Sequence, residues 1–163
     1  MYKINDLVVF ENVGVCTILN IGTPDFVKSD DLYYIMQPLN DAGGTIYVKV
    51  DTDKRMRPVI SSDEALQYLS GLTDIEGIYD KNSKIREQKF GEAIKSCDCE
   101  KWLAMIKGIE SVKQKRIENG KKLNSSDSRY LQKAGKMLSG EFSVALKMTK
   151  EEIISKILNS LDD

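Results

Sequence analysis

The spacing of apolar positions along the 163-residue chain changes once, near residue 60. Before that point the apolar residues fall in short runs. Leu7-Val8-Val9-Phe10, Val13 to Leu19 with Gly14 between Val13 and Val15, Leu32-Tyr33-Tyr34-Ile35-Met36 and Thr45-Ile46-Tyr47-Val48-Lys49-Val50 are β-branched and aromatic stretches of strand length. Turn-forming residues separate them: Glu11-Asn12, Gly22-Thr23-Pro24-Asp25 and Asp41-Ala42-Gly43-Gly44. After residue 60 the period is helical. Ser61 and Glu64 form a capping-box signal ahead of Ala65, Leu66, Tyr68 and Leu69. A second helix is predicted over about 83–95, with Phe90 and Ile94 four apart, and a third from about Asp98 to Glu118. On the third, Trp102, Met105, Ile106, Ile109 and Val112 keep the i, i+3, i+4, i+7 spacing of a buried stripe. Asn119-Gly120 stops it. A fourth helix starts near Ser125-Ser126-Asp127 and turns Leu131, Ala134, Leu138 and Phe142 inward. Thr149 and Glu152 cap a last one carrying Ile153, Ile154, Ile157, Leu158 and Leu161.

The expected fold class is therefore α+β: a small, strongly bent Tudor/SH3-like β module, followed by a compact C-terminal bundle of about five helices. Trp102 lies on the apolar stripe of the third helix, so it is read as a core residue and not as a ring for stacking on DNA.

Charge changes the picture. The formal net charge is only −1, but the charges are segregated. Residues 1–80 carry 6 Lys/Arg against 13 Asp/Glu, residues 81–150 carry 17 against 8, and the last stretch carries 1 against 4. A block of net +9 beside an acidic one points to a polyanionic partner, nucleic acid above all. Arg129, Lys133 and Lys136 share one face of the fourth helix, and Lys121, Lys122, Lys113, Lys115 and Arg116 precede them. Lys81, Lys84, Arg86 and Lys89 open the second helix. No arrangement reads bases, so backbone contact without sequence readout is expected. The competing reading is a protein–protein adaptor whose basic helices bind an acidic protein and never meet DNA.

Candidate chemistry is sparse. The chain has no histidine, which removes the commonest general base and every Ser-His or Cys-His pair, and it has no glycine-rich phosphate cradle. An enzyme is not expected. Cys16, Cys97 and Cys99 lack the spacing of a disulfide framework or a zinc site, so reduced thiols and no metal or cofactor are expected. No apolar run approaches the roughly 18–20 residues of a membrane helix, and Met1–Asp6 lacks the apolar stretch of a signal peptide. A cytoplasmic, monomeric protein without membrane contact is the expectation.

Several stretches together resemble a known family. They are Leu7 to Val15, Thr45-Ile46-Tyr47-Val48 and Arg55-Met56-Arg57-Pro58 in the first part. In the second they are Ile94-Lys95-Ser96-Cys97-Asp98, Gly120-Lys121-Lys122-Leu123 and Ser126-Asp127-Ser128-Arg129-Tyr130-Leu131. In this order they resemble the bacterial CarD/CdnL transcription regulators, whose N-terminal module is similar to the polymerase-interacting domain of the transcription-repair coupling factor. The resemblance implies a Tudor-like domain over residues 1–58 that binds the β subunit of RNA polymerase, and a helical domain over 59–163 that touches promoter DNA and stabilises the open complex. It moves the boundary from the charge break near residue 80 to about 58. The polymerase-contacting strand falls at Thr45, Ile46, Tyr47, Val48 and Lys49, with Tyr47 where the family usually has Arg. The DNA-contacting set, from the charge pattern and the resemblance together, is Lys84, Arg86, Lys89, Lys122, Arg129, Lys133 and Lys136. Some members wedge a Trp into the minor groove at the start of the second helix; Ser83 stands there in this chain, which leaves phosphate contacts to hold the DNA.

Overall fold

A computed structural model describes residues 1–40 and 44–161; the predicted turn residues Asp41, Ala42 and Gly43 lie outside them. Five strands form one antiparallel sheet in the order β4-β3-β2-β1-β5: β1 Leu7–Phe10, β2 Gly14–Gly22, β3 Tyr33–Pro38, β4 Ile46–Lys49 and β5 Met56–Pro58. The first four make a meander, and β5 returns beside β1. A bulge between Ile18 and Asn20 bends the long β2 strand.

The uninterrupted run Leu7-Val8-Val9-Phe10 has a direct cause. Val8 and Phe10 join Cys16, Ile18, Tyr34, Met36 and Val48 in the core of the module. Val9, paired with Val15, faces the other way, into the helical core. A strand buried on both faces loses the usual apolar–polar alternation.

The helices are α1 Ser62–Ser70, α2 Ser83–Lys95, α3 Cys99–Glu118, α4 Ser125–Leu146 and α5 Lys150–Leu161, with a short 3-10 turn at Leu72–Asp74. Each helix start carries a side-chain cap. Ser61 Oγ accepts from the Glu64 N–H at 3.1 Å, the Asn82 side chain from Lys84 and Ile85, Asp98 from Glu100, Asn124 from Asp127, and Thr149 Oγ1 from Glu152. Gly120, at φ +70°, ends α3: its N–H bonds to Ile117 O while the Lys121 N–H reaches back to Arg116 O, the paired bonds of a Schellman stop.

Helix α3 runs through the centre of the bundle. Trp102 is fully buried and its indole N–H donates to Ala93 O at 3.0 Å, so it is a core residue. Burial extends around α3 to Leu103 and Ala104, beyond the predicted stripe, while Val112 is only half-buried. At Gly108 a Cβ would sit 2.1 Å from Ile78 O, and the Ile78 N–H bonds to Ala104 O. The α1–α2 connection can thus cross α3 in direct backbone contact. On α4 and α5 the expected inward positions Leu131, Ile154 and Leu158 are only partly covered, because they line a groove and not the core. No helix among the described residues is long and apolar enough to cross a membrane.

Besides the packing of Val9 and Val15, an ion pair with a fully buried carboxylate joins the β module to the bundle. Arg57 on β5 lies opposite Val9, so its side chain points at the helices. Its Nη1 and Nη2 meet both carboxylate oxygens of Glu141 on α4, at 2.5 and 2.8 Å, and its Nε–H donates to Cys97 O. Glu141 is 0% exposed and also accepts from the Ile60 N–H and the Cys99 thiol. The guanidinium lies 5.9 Å from the centre of the Trp102 ring. Burial would lower the Arg57 pKa, but the hydrogen bonds and charge of Glu141 outweigh it and hold it above its usual value. Burial pushes the Cys16 and Cys97 thiols up to about 11, and burial with the neighbouring Glu141 charge pushes Cys99 higher still. All three stay protonated and unreactive near neutral pH.

Glu141→Ala would leave the half-buried guanidinium without its anion. Such a change costs about 3–5 kcal/mol, to be read by urea unfolding followed through Trp102 fluorescence. A loss below about 1 kcal/mol, the size expected of an exposed ion pair, would contradict the assignment.

Candidate partner edge and basic surface

Strand β4 is one free margin of the sheet. The Val50 N–H donates to Leu32 O at 3.0 Å, and the register continues through Val48 opposite Tyr34 and Ile46 opposite Met36. In an antiparallel ladder this alternation directs the backbone groups of Val48 and Ile46 toward β3 and those of Tyr47 and Lys49 away from it. Lys49 O is used by the Thr52 N–H in the following turn, but the N–H and C=O of Tyr47 have no partner among the described residues. Val48 is buried, whereas Tyr47 and Lys49 stand on the outer face. Thr45, exposed, precedes the strand. Lys49 pairs with Asp31 at 2.9 Å, and that hydrogen bond holds the Asp31 carboxyl below its usual range.

The β2–β3 loop adds a residue that the sequence reading did not single out. Phe26 places its ring edge-on to Tyr47, with centroids 4.9 Å apart and an interplanar angle of 89°. The only sequence signal was a lone aromatic among turn residues, after Thr23-Pro24-Asp25.

The basic candidates separate by their surroundings. Arg86 is 7% exposed and does not face outward. Its Nε–H donates to Asp127 Oδ1 at 3.0 Å, its Nη1 to the Asp80 and Lys81 carbonyls, and its guanidinium lies 4.5 Å from the Tyr79 ring centre. Tyr79 donates to the other oxygen of Asp127; burial and that bond push its hydroxyl pKa up. Arg86 thus braces the start of α2 against the start of α4, and the negative charge it answers is internal. Asp127, which the sequence marks only as part of the start of the fourth helix, is the centre of that brace.

The brace sets the two helix N-termini side by side, where Ser126 also bonds to Glu87. Lys84, Lys122 and Arg129 are exposed around this end. Arg116 donates to Lys122 O at 2.6 Å and so ties the α3–α4 loop to it. Lys89 is exposed but pairs with Asp80 at 3.3 Å. Arg129 and Lys133 border a shallow depression with Glu87 and Glu92 of α2. Lys133 donates to Asn12 O in the β1–β2 turn. With Lys136 it also borders a groove of about 1080 Å³ between the β module, α4 and α5, lined by Ile46, Leu131, Ile154 and Leu158. Lys150 crosses from α5 to Asn40 of the module. Among the described residues, Lys84, Lys122, Arg129, Lys133 and Lys136 have no carboxylate partner. Ser83 is exposed at the first position of α2, next to the exposed Ile85.

This division predicts opposite outcomes for neighbouring cations. Arg86→Ala strips Asp127 of its buried counter-ion, with an expected stability loss of about 3–5 kcal/mol. Lys84→Ala should stay within about 0.5 kcal/mol. Thermal or urea unfolding of the two variants distinguishes them, and equal losses would contradict the brace.

Residues 2–60 match the CarD-like/TRCF RID domain family. That span covers all five strands, the open β4 edge and Arg57. No curated protein matches the chain.

Proposed function

Because residues 2–60 form a CarD-like/TRCF RID domain, an RNA-polymerase-interacting module of Tudor-like fold, we propose that this protein regulates transcription by bridging polymerase and promoter DNA. The module takes the β subunit of RNA polymerase on its β4 edge by strand addition, in which main-chain hydrogen bonds supply affinity. The outward N–H and C=O of Tyr47 are the groups that such a strand would pair with. The helical domain lies on promoter DNA and stabilises the open complex.

The observation that carries the DNA half is the separation of paired from unpaired cations. Arg57, Arg86, Lys49, Lys89 and Lys113 each have a carboxylate, whereas Lys84, Lys122, Arg129, Lys133 and Lys136 do not. Exposed cations that no carboxylate neutralises, Lys133 included although it also donates to Asn12 O, are free to replace the counterions of a phosphate backbone. Arg86 contributes by holding the surface together and Lys89 through a solvent-exposed pair that DNA can exchange. No Trp stands at the start of α2, so contact with the backbone, without sequence readout, carries the binding.

The test joins both halves. Added to RNA polymerase on a promoter fragment, the protein is expected to lengthen the lifetime of the open complex under competitor challenge. Combined Lys122→Glu and Arg129→Glu changes should weaken DNA binding at least tenfold and leave polymerase binding intact. In the unaltered protein log K should fall with log salt by about 0.9 per phosphate neutralised. An unchanged lifetime overturns the proposal. A flat salt response with no DNA shift would instead favour an adaptor whose basic helices bind an acidic protein.

A further inference from the structure

We infer that the β4 edge selects its partner strand through an apolar anchor, the Phe26–Tyr47 ring pair, and not through a cation; this rests on the reading that β4 receives a strand of RNA polymerase. The pair is unusual in what it leaves uncovered. Phe26 is 66% exposed and Tyr47 43% exposed, although the two rings touch edge to face. A loop aromatic that served the module's own core would turn inward, as Tyr34 does from β3 at 2% exposure. Phe26 instead adds exposed apolar surface beside Tyr47, a β4 residue whose N–H and C=O both lack a partner among the described residues. Backbone pairing and side-chain anchor thus coincide on Tyr47.

Geometry then fixes what the partner presents. A strand added to β4 places one residue opposite Tyr47, with its side chain on the same face and about 4.5–5.5 Å away between Cβ atoms. That residue meets the two rings, so it is large and apolar. A cation over the exposed ring faces is the other way to use such a pair, and a steep loss of affinity with added salt would report it. Charge agrees with an uncharged or basic flank on the partner. Lys49 is already neutralised by Asp31, and Asp51 and Asp53 line the adjoining depression of about 400 Å³ with Lys54. The occupant is therefore an extended segment of the polymerase β subunit that carries a large apolar side chain between uncharged or basic neighbours.

The experiment measures affinity of the full chain for purified RNA polymerase by titration, in parallel for four variants whose folding is checked by circular dichroism. Phe26→Ala is expected to weaken binding at least tenfold, Phe26→Tyr to retain it, and Phe26→Leu to fall between, with little dependence on salt. Lys49→Pro removes an outward N–H that β3 does not use and reports on strand addition itself. If Phe26→Ala binds like the unaltered chain while Lys49→Pro does not, the anchor is overturned and strand addition stands. If Lys49→Pro binds normally, strand addition at β4 falls and the anchor with it. Should Lys49→Pro melt the module, the Phe26 series still decides, because the ring is exposed and its removal spares the fold. Self-association of the chain alone, abolished by Phe26→Ala, would place a second copy on the edge and overturn the proposal.

Discussion

The pairing of Arg57 with Glu141 is the constraint on which the arrangement of this molecule depends. A carboxylate with no exposure is tolerable only if every lone pair is answered, and Glu141 is answered by the guanidinium fork, the Ile60 N–H and the Cys99 thiol. Those partners come from β5, from the segment leading into α1, and from the start of α3. One side chain of α4 therefore fixes three other parts of the chain at once. A bidentate fork also resists rotation, which a Lys at position 57 would not. The open strand edge and the basic helical surface consequently keep a fixed relation to each other.

A second buried pair works on the same rule at the opposite end of α4. Arg86 and Asp127 draw α2 and α4 together, with Tyr79 closing the site. The two pairs lie near the two ends of one helix, and each takes a charge from a different part of the chain. Between them α4 carries Arg129, Lys133 and Lys136, which no carboxylate answers. Burial thus sorts the cations into those that build the molecule and those left over for a partner.

Much of the architecture was legible because local signals agreed with the period of the apolar pattern. Helices α1 and α5 began at the Ser61 and Thr149 capping signals and α3 at Asp98, while Asn82 and Asn124, not marked by the pattern, cap α2 and α4; Gly120 stopped α3 as its dihedral freedom suggested. The strands were legible as runs, though β2 continues three residues beyond Leu19 because the bulge lets it bend. The site was legible only in outline. Sequence marks Arg86 as one basic residue among many; its burial depends on Asp127, forty-one positions away, and no spacing rule encodes that. Phe26 was silent for a similar reason, since a loop aromatic acquires meaning only when the fold brings it against Tyr47. Leu131, Ile154 and Leu158 keep a helical period whether they line a core or a groove, and the pattern cannot distinguish the two.

Strand β1 carries a last consequence. Its two faces belong to two different cores, so Val9 is interior to the bundle while Val8 is interior to the sheet. A peptide cut after Pro58 would keep all five strands and still present Val9, Val15 and an unanswered Arg57 to water. Such a fragment should be sticky or loosely folded for reasons unrelated to its own sequence quality. Linear dissection of this chain into the β module and the helical part would therefore misreport both, because the seam between them runs through a strand and not through a linker.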